Sequence, residues 1–160
     1  MLMQLLRRTT NSSPDLLDSK LYDDKTFYPA LIKDLNNCCG ELIIESPFIT
    51  RKRLQYLLPP LQNLKARKVR IIINTKDPHE LDEERREEAY RAVASLQHKG
   101  IQVIYTHGHH RKLAIIDRLI LYEGSLNILS QNRSTEITRR IESIQLAWQM
   151  AIFIGIDNYL

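Results

Sequence analysis

His110-Arg111-Lys112-Leu113-Ala114-Ile115-Ile116-Asp117-Arg118-Leu119-Ile120-Leu121-Tyr122-Glu123-Gly124-Ser125-Leu126-Asn127 decides how the rest of the chain is read. Its spacing is His-x-Lys-(x)4-Asp-(x)6-Gly-Ser-x-Asn. Leu113 to Ile116 and Leu119 to Tyr122 are two short apolar runs rich in β-branched or bulky residues, split by Asp117-Arg118. That pattern predicts two antiparallel strands and a tight connection. On a strand, His110 and Lys112 share a face, roughly 7 Å apart along the chain. An imidazole beside an ammonium suits a phosphate: one attacks or protonates, the other neutralises oxygen charge. Gly124, Ser125 and Asn127 add small hydrogen-bonding groups at the end of the second strand.

Working outward, the segments before the hairpin alternate. Phe27 to Leu35 carries apolar residues at helical spacing, and Gly40 follows as a helix stop. Glu41 to Glu45 is a short strand. Ser46 to Thr50 is a loop with Thr50 as a helix N-cap. Arg51 to Leu64 reads as a helix broken or restarted at Pro59-Pro60, because proline in a helix interior costs ~3 kcal/mol. Val69 to Asn74 is the next strand. Glu80 to Lys99 is a long charged helix with Ala89, Val93 and Leu96 on its core side, closed by Gly100. Ile101 to Tyr105 is the third strand, and Ile144 to Leu160 a closing helix. Strand–helix–strand–helix–strand predicts an α/β fold with a mixed, mainly parallel sheet flanked by helices. Residues 1–20, with polar Thr9 to Lys20, read as an arm or linker, and 21–160 as one catalytic domain. A chain of 160 residues with 43% apolar content is long enough for one real core.

Charge is unevenly spread. From Thr50 to Arg70 there are seven Lys or Arg and no acid, whereas from Lys76 to Arg91 seven acids outnumber four bases. Such clustering favours a polyanionic partner, although a solvated basic helix has the same composition. Cys38 and Cys39 are adjacent and offer no disulfide framework, which fits a reducing, cytoplasmic setting. No signal peptide is evident and no apolar stretch reaches the ~18 residues of a spanning helix, so stable membrane insertion is not expected. His107, His109 and His110 place three imidazoles in four positions. No Cys, Asp or Glu stands at ligand spacing beside them, so no metal and no other cofactor is expected.

At His110, Lys112, Asp117, Gly124, Ser125 and Asn127 the chain resembles the phospholipase D superfamily, whose signature has this spacing. The resemblance extends more loosely over residues 25 to 158. It implies a phospholipase D-like fold and metal-independent phosphodiester chemistry with His110 as nucleophile. Lys112, Ser125 and Asn127 then act on the phosphate, and Asp117 holds the motif in place. Glu136, in Ser134-Thr135-Glu136, falls where many members place a glutamate that hydrogen-bonds the catalytic histidine. The family's active site needs two such motifs and this sequence carries one, which implies a homodimer with two His110 side chains meeting across a two-fold axis.

Short single-motif members are mostly nucleases. The resulting expectation is a non-specific endonuclease on DNA, with RNA as the other nucleic acid, by itself or within a larger restriction or defence system. Arg51, Lys52, Arg53, Arg139, Arg140 and Gly124 are the expected substrate contacts. Two alternatives remain. One is a phospholipase or phosphatidyltransferase on lipids, and the other a non-catalytic nucleic-acid-binding module that keeps the fold.

Overall fold

The computed structural model describes residues 19–130 and 134–159. Seven strands form one sheet: β1 (Lys20–Asp23), β2 (Glu41–Glu45), β3 (Arg70–Lys76), β4 (Gln102–Thr106), β5 (Leu113–Ile116), β6 (Ile120–Gly124) and β7 (Ile137–Glu142). Among the described residues four α-helices accompany them: α1 (Phe27–Asn37), α2 (Arg51–Ala66), α3 (Glu83–His98) and α4 (Ile144–Phe153). The strand order is β1-β7-β6-β5-β2-β3-β4. Only β2–β3 and β3–β4 pair in parallel, and the other pairings are antiparallel. The expected mixed α/β sheet is present, with its balance shifted from mainly parallel to mainly antiparallel. β1 and β7 cause the shift. Their sequences, Lys-Leu-Tyr-Asp and Ile-Thr-Arg-Arg-Ile-Glu, carry too few apolar residues to read as strands. Lys20, placed at the end of the expected arm, opens β1; residues 1–18 of that arm lie outside the described residues.

β2 is buried from Glu41 to Glu45 because both faces of the sheet are covered. Leu42 and Ile44 join Phe27, Leu31, Leu57, Leu61, Leu64 and Leu96 in the core on one face. Ile43, on the other face, packs with Ile72, Ile115, Leu121, Ala147 and Ala151. The period-2 alternation of a strand thus divides one apolar run between two cores.

Helix α2 runs unbroken through Pro59 and Pro60, against expectation. Proline at 59 and 60 removes the hydrogen bonds to the carbonyls of Gln55 and Tyr56, both residues on the exposed face of the helix. Leu54, Leu57, Leu61 and Leu64 are buried on either side of the prolines and hold the axis together. The helix expected over Glu80 to Lys99 is divided: a 3-10 turn spans Pro78–Glu80, and Asp82, accepting from the Arg85 N–H at 3.0 Å, starts α3 anew. The closing helix also ends early. Gly155 has φ +68°, after which Ile156–Tyr159 is a 3-10 turn; Leu160 lies outside the described residues.

The β5–β6 turn places Asp117 and Arg118 at φ +53° and +52°, the paired left-handed residues of a tight hairpin. Arg118 is buried against Glu41 (2.7 Å) and Asp157 (2.6 Å), tying the last turn of the chain to the hairpin.

Candidate active site

Because β5 runs antiparallel to β2, with Leu113 opposite Glu45, the residues before β5 fall at the carboxyl end of β2. The end of β6 and the start of β7 lie at the same edge, Gly124 opposite Thr138. His110 and Lys112 precede β5 rather than belonging to it. Their side chains nevertheless converge: Lys112 Nζ lies 2.8 Å from His110 Nδ1 and donates to the His110 carbonyl at 2.9 Å. An ammonium donating to Nδ1 leaves the imidazole proton on Nε2. Burial lowers the Lys112 pKa, and the nearby Glu136 carboxylate opposes that shift. Glu136 thus stands close enough to Lys112 for their charges to interact.

Ser125 and Gly124 have architectural duties at this edge. The Ser125 hydroxyl accepts from the Ile137 N–H at 3.1 Å, and its N–H donates to the Ile137 carbonyl at 2.9 Å, pinning the start of β7. A Cβ on Gly124 would stand 2.2 Å from the Ile137 oxygen, so no other residue fits there without moving β7. Asn127 is 8% exposed, and its Oδ1 has no hydrogen-bond partner among the described residues.

Asp117 sits at the opposite end of β5. Its carboxylate accepts from the backbone N–H groups of Cys39 (2.8 Å), Gly40 (2.7 Å) and Glu41 (2.9 Å). Burial pushes its pKa up, but these donors outweigh that and hold it below the usual carboxylate range. It fastens the hairpin turn to β2, remote from His110.

The expected basic contacts scatter. Arg51 and Lys52 are exposed on the first turn of α2, which begins beyond the carboxyl end of β2. Arg53 lies over the Tyr28 ring at 3.7 Å. Arg139 donates to Ser19 Oγ at 2.6 Å. Arg140 is bound to Asp34 (2.6 Å) and Glu142 (3.0 Å) with its side chain 16% exposed, so its guanidinium serves an internal ion pair. His107 is exposed beside Glu80, whereas His109 is buried, with burial lowering its pKa. Among the described residues no three of His, Cys, Asp and Glu gather as metal ligands.

Sequence reasoning missed one element of the site. Arg111, between His110 and Lys112, grips the fully buried Glu45 through Nε and through Nη2 at 3.0 Å. Asn74 donates to the same carboxylate at 2.8 Å, and Thr106 donates to Asn74 at 3.0 Å. An acid at the end of an apolar run, Leu42 to Ile44, was the visible signal, but its partner lies 66 residues away.

A family model described as the PLD-like domain of cardiolipin synthase matches residues 31–152. No curated protein matches the sequence. Among solved structures, Nuc of Salmonella typhimurium, a phospholipase D family member, is 14% identical with a TM-score of 0.69, covering 85% of this chain and 90% of that one. NucT of Helicobacter pylori is 14% identical with a TM-score of 0.67, covering 85% and 92%. Phosphatidylserine synthase of Haemophilus influenzae is 12% identical with a TM-score of 0.61, covering 87% and 37%. At these identities the likeness is one of fold.

Proposed function

This chain belongs to the phospholipase D superfamily of phosphodiesterases and phosphoryl-transfer enzymes, and we propose that it is a metal-independent endonuclease, acting on DNA as a homodimer. The observation that carries the reading is the contact between Lys112 Nζ and His110 Nδ1 at one sheet edge. A phosphate entering there draws the Lys112 ammonium onto its oxygens, freeing the imidazole. His110 then attacks phosphorus in line through its unprotonated ring nitrogen: a P–N bond forms, and the bond to the leaving oxygen breaks. The partner's His110, as imidazolium, gives that oxygen its proton, then takes one from the water that cleaves the phosphohistidine. Lys112 and the Asn127 amide stabilise the oxygens of the transition state.

Nucleic acid is favoured over lipid by charge. Arg51 and Lys52 offer cations for a phosphate backbone, without base readout. Phosphatidyl transfer is the second reading, supported by the exposed Ile144, Trp148, Ile152 and Phe153 on α4, an apolar stripe suited to a bilayer surface. Among the described residues no helix is long and apolar enough to cross a membrane.

The deciding experiment incubates the protein with plasmid and single-stranded DNA in excess EDTA, beside His110→Ala. Chelator-resistant cleavage, lost in the variant while salt-sensitive binding persists, is the expected result. Turnover of radiolabelled lipid without DNA cleavage selects the second reading.

A further inference from the structure

Beside Asn127 the surface opens into a cleft of about 380 Å³. One side is the turn from Asn127 to Ser130, closed by the Ser130 N–H donating to the Asn127 carbonyl at 3.2 Å. That turn is fastened from three directions. Ser46 Oγ accepts from the Leu129 N–H at 3.1 Å, the Leu129 carbonyl accepts from the Thr50 N–H at 2.9 Å, and the Ile128 carbonyl accepts from the Tyr28 hydroxyl at 3.1 Å. Two of its side chains are buried without partners. Asn127 and Ser130 are 8% and 5% exposed, both line the cleft, and Asn127 Oδ1 and Ser130 Oγ have no hydrogen-bond partner among the described residues. Buried polar atoms without partners are costly, and a turn held this firmly cannot relax to satisfy them. Phe48, Ile49 and Leu81 also line the cleft, with Arg85 and with Glu88, whose carboxylate accepts from the Arg51 N–H at 2.7 Å.

We propose that this cleft binds a nucleobase of the substrate strand, that of a nucleotide flanking the scissile phosphate. Apolar walls suit the faces of a flat ring, and the Asn127 amide and Ser130 hydroxyl suit hydrogen bonds to its edge. The volume holds a base with part of its sugar. Asn127 belongs both to the signature that handles the phosphate and to the cleft wall, which sets the base next to the cut. A paired, stacked base cannot enter such a cleft, so the substrate is single-stranded or locally unpaired nucleic acid. The proposal rests on the nucleic-acid reading above and gives the site a base preference, with Ser130 as the residue that reads it.

The test is digestion of a randomised single-stranded DNA library, with sequencing of the new ends, for wild type, Ser130→Thr and Ser130→Leu. Base bias is a ratio within one digest, so partial unfolding of a variant does not distort it. Wild type is expected to show a bias of roughly fivefold or more at one position flanking the cut, within the range of a hydrogen-bonded base contact. Ser130→Thr keeps the bias and Ser130→Leu flattens it. If Ser130→Leu does not fold, Leu81→Trp, elsewhere in the lining, carries the same expectation. Cleavage with equal base frequencies at every flanking position, or a bias unchanged in the wall variants, overturns the cleft alone. Hydrolysis of bis(p-nitrophenyl) phosphate or labelled lipid with no cut in the library overturns the nucleic-acid reading and the cleft with it.

Discussion

Arg111 and Glu45 form the clasp that sets the His110–Lys112 segment against the sheet. The Glu45 carboxylate, at the end of β2, is fully buried, and Arg111 stands between His110 and Lys112 with its side chain 40% exposed. Two hydrogen bonds from one guanidinium fix both the distance and the plane of approach. The two partners are unequal, because water reaches the arginine but not the carboxylate.

That inequality gives the first prediction. Arg111→Ala leaves Glu45 as a buried charge and destabilises the fold by about 3 kcal/mol. Glu45→Gln keeps the amide contact from Asn74 possible and costs roughly 1–2 kcal/mol. The double variant is less destabilised than the sum of the two, because no buried charge remains. Urea unfolding of the four proteins measures the cycle, and additive losses would show that the clasp is energetically idle.

Gly124 makes the second. A Cβ there meets the Ile137 oxygen at 2.2 Å and the Thr138 Cα at 2.7 Å, both backbone atoms. Gly124→Ala must push β7 from β6 and displace Ser125 and Glu136 with it. The expected loss is about 1–3 kcal/mol of stability together with turnover. A variant as active and as stable as wild type would mean that β7 moves freely at this edge.

Asp117 makes the third, through pH. Its folded pKa lies below its unfolded value of about 3.9. The stability it contributes is therefore complete above that unfolded value and is lost as pH falls through the lower folded one. Asp117→Asn, which keeps one acceptor oxygen, should be less stable than wild type by about 1–2 kcal/mol near pH 6. The gap should shrink below roughly pH 4, as the wild-type carboxyl takes up its proton. Parallel denaturant curves at pH 3 and pH 6 decide it; an equal gap at both contradicts the pairing with Cys39, Gly40 and Glu41.

The shared site makes the fourth. If each reaction needs two copies of His110, a His110→Ala chain that exchanges into wild-type dimers is inhibitory. An equimolar mixture after exchange retains about a quarter of its dimers as wild-type pairs, and activity should fall with that fraction. Activity that tracks wild-type chain concentration alone would point to a site complete within one chain.

What the sequence by itself determined was local and periodic. The apolar runs predict β2 to β6 within a residue or two, Thr50 marks the start of α2, and one correlated spacing picks out His110, Lys112 and Asn127. Tertiary structure alone decided the rest. β7 is a strand because β6 offers it a free edge and Gly124 lets it approach. Pro59 sits inside a helix because the leucines around it are buried. Arg140 turns inward to Asp34, a partner 106 residues distant that no local pattern announces. Periodicity and caps are written in neighbouring residues, whereas buried charge pairs, close backbone approaches and cleft walls arise where distant segments meet.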